Sequence, residues 1–511
     1  MRAAVIDIGS SSIKLIIGEN DGGKIKVVQT LKNLVDIGKN TFYKGRISQE
    51  IINQTVGILN NYKKVIAEYS ATEVRIIATT AVREALNRDI FIDTVFRKTE
   101  FPVEIFNVGD VVYYIDSFLS YKLDKAYPIH EKNVLIAELG AGSLDISLME
   151  KGFTLMNIGI PIGTLRLKQF KNKLDGSQDD NYDALDEFVA NQMTILKKST
   201  YGFKIDDVIL IDESYSLAIQ NILYEKKKEP TFYKFSSKEA KQFLNRITES
   251  NLDDLSNTYD VPPDIADSVD GYAIILHNIF KCIRNRSIYI LETSLMEALL
   301  ANIVLGAETS NKYNKTNQLV SVAKFLCNKY DADLKHAKQV ANLSEQLFHA
   351  LKGTLGLKDE DLLYLLLAAY LHNIGMFVNN RSHHKHTEYA INSLNLFRMS
   401  EIEVKMVACI ARYHRKNTPQ KRHILYGSLA SYYQISVQKL SSILRMANAL
   451  DSSHKQKVRK MEVKVVPNEE VQIYIETPDN FILEKAEFND MKDLFEEVSG
   501  NKATLFIKKS S

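Results

Sequence analysis

The sequence contains few cysteines, no long apolar run and no excess of charge of either sign. Its three cysteines, Cys282, Cys327 and Cys409, lie far apart and match no metal or redox spacing. We expect them to be buried thiols in a reducing compartment rather than parts of a disulfide framework. No window approaches ~20 uninterrupted apolar residues, so we expect neither a membrane span nor a membrane partner. A formal net charge of +2 argues against nucleic acid as a general partner, although it allows local basic patches.

Two motifs are also absent. The pattern GxxxxGK[ST] does not occur, which disfavours a P-loop ATPase, and no nucleophile triad is recognisable. The first residues lead directly into an apolar strand pattern rather than a signal peptide, so a cytoplasmic location is expected. A chain of 511 residues is too long for one hydrophobic core and suggests three or four domains.

The stretch Ala3–Ile17, AAVIDIGSSSIKLII, has apolar runs on both sides of a small polar segment. It predicts a strand, a tight turn and a second strand. Small residues let backbone N–H groups approach an anion, and serine hydroxyls add donors. Asp7, at the end of the first strand, could hold a metal ion. A turn of this composition also occurs in hairpins that bind nothing, so the stretch alone leaves both interpretations open.

A second stretch repeats this design. Asn133–Met149, NVLIAELGAGSLDISLM, again has an apolar strand, an acid (Glu138), a Gly-rich turn and a second strand that starts near Asp145. Two such hairpins, one in each half of the region, predict two similar lobes that face each other across a phosphate-binding cleft. This is the layout of the actin and sugar kinase class of folds, so the step rests partly on analogy.

Between and after the hairpins, strands alternate with helices. ATTAVREALNRD predicts a strand that passes into a helix, with Arg83 in the first helical turn. There Arg83 would point into the cleft, or it could instead pair with Glu84 or Asp89 on the surface. The stretch 102–120 predicts a strand, a turn at Gly109 and Asp110, and a helix. The lysine-rich stretch 224–243 predicts a solvated helical surface.

From about residue 310 the apolar spacing becomes helical, and alternation returns after about Lys460. The predicted fold is therefore α/β, with two actin-like, ribonuclease H-like lobes, an all-α HD-like domain and a small α+β tail that contains one helix near Asp490–Val498. The predicted domains are residues 1–120, 121–306, 307–460 and 461–511.

The helical region contains His336, His372, Asn373 and Asp451 in the order of an H…HD…D metal site. The position of the bridging aspartate is Asn373, however, and a neutral amide is a poor ligand for a hard cation. This favours the scaffold of such a domain without its metal.

The same region has two basic segments. Their density suits a polyanion, because each Lys or Arg can neutralise a phosphate. Simple solvation, or docking of an acidic segment, is the alternative. The candidate channel residues are Arg381, His384, Lys385, His386, His414, Arg415 and Lys416.

These motifs together resemble the exopolyphosphatase / guanosine pentaphosphate phosphohydrolase (Ppx/GppA) family. The similar segments are AAVIDIGSSSIKLII, ATTAVREALN, ELGAGSLD, LHNIGMFVNNRSHHKHTEYAI and IARYHRK, and they extend over nearly the whole chain. The resemblance implies hydrolysis of the terminal phosphoanhydride of inorganic polyphosphate, or of guanosine pentaphosphate in some members. It also implies Mg²⁺, water attack helped by a glutamate base, a homodimer, and helical domains that extend a polyphosphate channel.

Matching positions assign roles to particular residues. Glu138, with Asp7, would hold the metal, and Asp145 would position water. The family's catalytic glutamate aligns with Val111, so the adjacent Asp110 is the candidate for a shifted base. The phosphate-binding candidates are Gly9, Ser10, Ser11, Ser12, Lys14, Arg83, Gly140, Gly142 and Ser143.

Other departures weaken the catalytic match. Ala141 replaces a glycine in the second hairpin, and residues 211–214 and 292–295 lack the glycines expected in their turns. The sequence thus predicts a Mg²⁺-dependent exopolyphosphatase. The alternative is a catalytically impaired relative that binds polyphosphate or guanosine tetra- or pentaphosphate as a sensor. ATP-dependent phosphotransfer is a weaker third option.

Overall fold

The computed structural model describes residues 1–123, 125–224, 231–283, 287–306, 313–415, 417–466 and 469–509. The chain forms two compact units, Met1–Asn314 and Lys315–Ser511. Among the helices in these described ranges, none combines the length and apolar character needed to cross a bilayer. The three cysteines are free thiols, and Cys327 and Cys409 are buried as predicted.

The first unit begins with a five-stranded sheet in the order β3-β2-β1-β4-β5. The β1–β2 and β2–β3 pairs are antiparallel, whereas β4 and β5 run parallel to β1. The strands are β1 Arg2–Ile8, β2 Ser12–Asp21, β3 Lys24–Leu34, β4 Glu73–Ala78 and β5 Val103–Ile105. The associated helices are Ile37–Lys44, Gln49–Glu68, Thr80–Glu84, Arg88–Thr99 and Val108–Lys122.

The second sheet of this unit has six strands in the order β10-β11-β9-β6-β7-β8. The strands are β6 Asn133–Leu139, β7 Leu144–Glu150, β8 Phe153–Ile160, β9 Asp207–Asp212, β10 Phe232–Phe235 and β11 Ser287–Glu292. The helices are Thr164–Lys171, Gln178–Gln192, Thr194–Ser199, Ser216–Leu223, Ser237–Glu249, Leu252–Asn257, Pro263–Ala266, Val269–Cys282 and Leu295–Leu305.

The two sheets share one topology. In the second sheet the run β8-β7-β6-β9-β11 repeats the antiparallel and parallel pairings of β3-β2-β1-β4-β5, and β10 adds an antiparallel edge strand. The internal repeat predicted from the two hairpins is confirmed.

The second unit is helical up to its last part. The helix Asp361–Leu371, apolar nearly all round, packs against several neighbouring helices and is buried as predicted. The helices are Lys315–Lys329, Leu334–Leu355, Asp361–Leu371, His383–Asn392, Glu401–Arg412, Ile424–Gly427 and Ser431–Ala449, with a 3₁₀ turn at Ile374–Phe377. A three-stranded sheet follows, formed by β12 Lys460–Val466, β13 Glu470–Thr477 and β14 Lys502–Lys509.

Three predicted elements differ in the structure. The tail has two helices, Ile482–Met491 and Asp493–Ser499, where one was predicted. The predicted helical surface at 224–243 includes the edge strand β10, whose aromatic residues pair with β11, and its residues 225–230 lie outside the described part. The turn predicted at Gly109 and Asp110 is instead the first turn of a helix that Asn107 caps.

Candidate active site

The two hairpin turns of the first unit have the same hydrogen-bond geometry. The Gly9 N–H donates to the Ser12 carbonyl at 3.0 Å, and the Gly140 N–H donates to the Ser143 carbonyl at 2.9 Å. Each bond closes a tight turn between an apolar strand and its antiparallel return strand. The repeat therefore extends from the topology to single hydrogen bonds.

A helix start supports each turn from behind. The Ser10 carbonyl accepts from Gly38 N at 2.7 Å, and the Ala141 carbonyl accepts from Leu165 N at 3.0 Å. Because these carbonyls accept bonds from the helix starts, the amide groups of the turns remain available to bind an anion. Within the described residues, the turn amides that have no backbone acceptor include those of Ser10, Ser11, Ala141 and Gly142.

Between the two turns lies a cleft of about 380 Å³. Its two sides are joined where the hydroxyls of Thr80 and Ser143 lie 2.9 Å apart. The predicted candidates brought together in its lining are Asp7, Gly9, Ser10, Ser11, Ser12, Lys14, Glu138, Gly140, Gly142, Ser143 and Asp145.

Carboxylates dominate the floor of the cleft. Asp7 pairs across its hairpin with Lys14, whereas Glu138 pairs across the second hairpin with Asp145. Asp212, at the end of β9, adds a fifth charged side chain at the same edge. Among these cleft acids, three buried carboxylate oxygens have no hydrogen-bond partner among the described residues, namely Asp7 Oδ1, Asp145 Oδ1 and Asp212 Oδ2.

Burial raises the pKa values of these acids. The pKa of Asp7 rises to about 7, although the nearby Lys14 charge opposes the shift. The pKa of Glu138 rises to about 8, because burial is reinforced by the neighbouring negative charge of Asp145. Burial also raises the pKa values of Asp145 and Asp212 to about 6. Burial therefore disfavours the ionised form of all four acids.

Lysines compensate only part of this charge. Lys14 Nζ lies 2.5 Å from Glu213, a cleft residue that follows Asp212. Burial disfavours the Lys14 charge, but Glu213 and the other acids outweigh it and raise the pKa of Lys14. Lys32 and Lys168 also line the cleft, and both pair with further acids there. Each of the three lysines in the described lining is therefore already paired with an acid outside the two hairpins.

The chemistry of the site fits a divalent cation. Within the described ranges, no three His, Cys, Asp or Glu side chains form a ready-made metal cage. Mg²⁺ does not require one, since it commonly binds through one or two carboxylates, waters and substrate phosphates. Asp7 and Glu138, at equivalent strand ends with raised pKa values, are the side chains that would hold it.

Asp110 occupies a different environment from the one predicted. It forms a capping box with Asn107: Asp110 Oδ2 accepts from Asn107 N at 3.2 Å, and Asn107 Oδ1 accepts from Asp110 N at 2.9 Å. Val111 is buried and lines the cleft, whereas Asp110 is not among the described lining residues. One helical residue of offset turns the acid away from the site and toward the helix end.

Arg83 also lies behind the cleft rather than in its described lining. Its guanidinium donates to the Phe106 carbonyl at 2.7 Å and to Thr80 Oγ1 at 3.2 Å. Neither predicted surface partner is used, since Glu84 pairs with Arg166. The Arg83 charge partly opposes the effect of burial on the Asp145 pKa.

The sequence analysis missed Thr80, Asp212 and Glu213 as cleft residues. Asp212 and Glu213 end a buried strand in the predicted fold, but no role in the site was predicted for them. A usable signal was present: β9 is an apolar strand that ends in two acids, and parallel strands bring their carboxyl ends to one edge.

In the second unit, the predicted channel residues differ in their exposure. Arg381, Lys385 and Arg415 are exposed, whereas His384 and His386 are half-buried. Burial and the Arg412 charge lower the pKa of His384 to about 4. His414 is only 2% exposed and faces the protein interior, so in this conformation it cannot line a surface channel. Lys416 lies outside the described residues.

Comparison with known protein families gives two matches. The sequence model of the Ppx/GppA phosphatase family matches residues 15–307. The model of Ppx/GppA phosphatase domain III matches residues 320–497. Together they span both units of the chain.

Three relatives illustrate the range of similar proteins. A bifunctional 3-dehydroquinate synthase/phosphatase of Fusobacterium nucleatum is 27% identical over 59% of this chain, which spans only 46% of that relative's length. A guanosine-5'-triphosphate,3'-diphosphate pyrophosphatase of Pseudoalteromonas translucida is 21% identical over 87% of both chains. Exopolyphosphatase 2 of Mycobacterium tuberculosis is 33% identical over 18% of this chain and 30% of its own.

Solved structures show the same fold. A Ppx/GppA family member from Aquifex aeolicus has a TM-score of 0.51 and 21% identity, covering 60% of this chain and 98% of that one. An exopolyphosphatase from Cytophaga hutchinsonii has a TM-score of 0.53 and 20% identity with the same coverage. These likenesses confirm the predicted two-lobed, actin-like architecture.

Proposed function

The chain belongs to the Ppx/GppA phosphatase family, and on that premise we propose that it releases terminal orthophosphate from inorganic polyphosphate. The observation that carries this proposal is the pair of matched turns, which present amides from both sides to an acid-floored cleft. A linear chain of phosphates offers oxygens to both turns at once. Its negative charge would be held by amides and a divalent cation, since the cleft lysines are already paired.

Mg²⁺ bound beside Asp7 and Glu138 would neutralise phosphate charge and favour deprotonation of the attacking water. The chain's own residues supply positioning. The turn amides orient the terminal phosphate, and the closely spaced Thr80 and Ser143 hydroxyls add donors between the turns. Positioning and charge stabilisation account for most of the catalysis in phosphoryl transfer.

Asp145 takes the role of water-positioning base in this proposal. It lines the cleft, one of its oxygens has no partner among the described residues, and its pKa of about 6 leaves it ionised at neutral pH. A base with a pKa just below the working pH can accept a proton from water. Asp110 is engaged in a helix cap, and Val111 has no proton acceptor. This replaces the assignment of Asp110 as base.

Guanosine pentaphosphate is the second candidate substrate. It is favoured because pyrophosphatases of that name cover 87% of this chain, whereas the exopolyphosphatase match covers 18%. A third possibility, binding without turnover, is favoured by the apolar Val111 in the lining.

Phosphate release with Mg²⁺ from long-chain polyphosphate, measured beside release from guanosine pentaphosphate, separates these candidates. We expect release from polyphosphate, and its loss in Glu138→Gln and in Asp145→Asn. The matched control is Asp36→Asn, an exposed acid of the same lining. Preferential release from guanosine pentaphosphate would favour the second candidate. Tight binding of either compound without release would make the chain a sensor.

The exposed basic residues of the second unit, Arg381, Lys385 and Arg415, are proposed polyphosphate contacts of that unit. Their replacement by glutamine should raise KM for long polyphosphate more than for short chains. Homodimerisation stays a prediction from the family resemblance, and light scattering of the purified chain would test it.

A further inference from the structure

Arg166 connects the second turn to the half of the unit that contains the first. Its Nε donates to the Gly142 carbonyl at 2.5 Å, and a terminal nitrogen donates to Glu84. Its guanidinium carbon lies 3.7 Å from the ring centroid of Phe42, in the helix Ile37–Lys44 beside the first sheet. Arg166 is not among the described lining residues, so it makes these contacts from behind the cleft.

The bond to Gly142 marks a difference between the two turns. Two residues after the glycine that closes each turn, a carbonyl accepts a hydrogen bond. In the first turn this is the Ser11 carbonyl, which accepts from the backbone N–H of Val35 at 3.1 Å. In the second turn it is the Gly142 carbonyl, which accepts from the Arg166 side chain. A substitution at Arg166 can therefore alter the second turn alone.

The same bond orients an amide of the second turn. In a planar trans peptide, the carbonyl and the N–H of the next residue point in opposite directions. Because Arg166 binds the Gly142 carbonyl, the Ser143 N–H points away from Arg166. The bond from Leu165 N to the Ala141 carbonyl orients the Gly142 N–H in the same way. Arg166 thus supports the part of the turn that lines the cleft.

Phe42 lies between the two turns. A Cβ added at Gly142 would lie 2.8 Å from Phe42 Cζ and 2.8 Å from Ser10 Oγ, so the backbone of the second turn is in close contact with both. The guanidinium of Arg166 covers the face of the same ring, where a cation is attracted to the π electrons. The helix that carries Phe42 also holds the first turn through Gly38 N. The two turns are therefore packed against one another through Phe42 and Arg166.

We propose that Arg166 is a positioning residue, which holds the amides of the second turn at the distance from the first turn that a bound phosphate requires. The inference rests on the proposed phosphate chemistry of the cleft. Phosphoryl transfer depends on the alignment of phosphorus with the attacking water, so a displaced turn should lower turnover more than binding. Arginine suits this position, because its planar guanidinium can donate at its edge and stack by its face at once. A lysine ammonium cannot do both.

The kinetic test compares Arg166→Gln, Arg166→Lys and Phe42→Leu in phosphate release from polyphosphate with Mg²⁺. Arg166→Gln should lower kcat by about 10²-fold, the loss that a misplacement of about 1 Å can cause, with a smaller rise in KM. Arg166→Lys should not restore kcat. The double variant Arg166→Gln/Phe42→Leu should lose less than the product of the single losses, since either change breaks the stack. The matched control is Arg97→Gln, at an exposed arginine paired with Asp93, which should keep wild-type kinetics.

A second measurement follows backbone hydrogen exchange and does not depend on turnover. Tripolyphosphate with Mg²⁺ should slow exchange in residues 7–14 and 138–146 of the wild-type chain. In Arg166→Gln, this protection should persist at 7–14 and be lost at 138–146, because main-chain bonds hold the first turn.

Two results would overturn the inference. One is a wild-type kcat in Arg166→Gln or Arg166→Lys, and the other is protection of residues 138–146 in Arg166→Gln equal to that in the wild type. Protection of both segments without phosphate release, with loss at 138–146 in Arg166→Gln, would contradict the proposed hydrolysis and support the role of Arg166 in placing the phosphate. Absence of protection in the wild-type chain would contradict both.

Discussion

The two hairpins of the first unit share their turn geometry but differ in charge. In both, an acid ends the first strand and a helix start holds the turn. Opposite Asp7 stands Lys14, whereas opposite Glu138 stands Asp145. Burial raises both pKa values, to about 7 for Asp7, where the Lys14 charge opposes the shift, and to about 8 for Glu138, where the Asp145 charge adds to it. The two hairpins therefore share their geometry, but only the first has a lysine opposite its strand-end acid.

The largest effect is expected from neutralising the acid that distinguishes the second hairpin. Asp145→Asn should lower kcat by about 10²–10⁴-fold, the usual loss when a general base is removed. Tm should not fall, because the change removes a buried charge and preserves shape. Phosphate-release kinetics and thermal melting check both parts. An unchanged kcat would remove Asp145 from the mechanism.

Removing the positive charge of Lys14 should make the charge of the first hairpin resemble that of the second. Lys14→Met leaves Asp7 and Glu213 without their partner, and we expect a loss of about 1–3 kcal/mol in the free energy of unfolding. KM should also rise as the negative charge of the cleft increases. Denaturant unfolding measures the first effect. Lys14→Arg, which keeps the charge, should behave nearly as wild type, and an equal loss there would point to packing instead.

Stability should also depend on pH through the same acids. Their pKa values in the folded chain, about 6 for Asp145 to about 8 for Glu138, exceed the ordinary 3.8 and 4.5. Between the ordinary and the raised pKa values, the folded state therefore binds more protons than the unfolded state. Stability is lost as pH rises through this range. Without divalent ions, Tm should fall as pH rises from about 5 to about 8. Added Mg²⁺ should raise Tm most near pH 8. A flat profile that Asp145→Asn/Glu138→Gln does not alter would contradict the charge comparison.

The smallest effect is expected outside the cleft. Asp110→Ala removes one half of a capping box and should cost about 1 kcal/mol of stability. Its kcat should stay unchanged, because the side chain acts on the helix end. Urea unfolding and phosphate release separate the two quantities. A large loss of kcat with normal stability would restore Asp110 as the base.

Much of this architecture could be predicted from the sequence. The two hairpins, their repetition and the helical second half follow from apolar patterning and small turn residues, which are local signals. The side on which Asp110 points could not be predicted, because a shift of one residue on a helix changes the direction by about 100°. Whether Arg83 reaches a ligand depends on which carbonyl lies nearby, here that of Phe106.

The helical unit shows a similar limit. The motif order identified His336, His372 and Asp451, and Asn373 argued against a metal. The inward orientation of His383 and His414 was not visible, because both lie in stretches that also contain exposed basic residues such as Lys385 and Arg415. Burial of a histidine within a basic stretch depends on tertiary packing, which composition does not reveal.

The pairing of the cleft lysines has a consequence for association. Lys32 on β3 and Lys168 on the helix Thr164–Lys171 both bind acids of one short segment, Asp264 and Asp267. A polyanion that enters the cleft must exchange these bonds rather than add to them. The attraction of the lysines for the polyanion is then partly offset by the loss of their bonds to the two acids. The association rate should therefore respond only weakly to ionic strength. Entry would resemble the replacement of one set of anions by another.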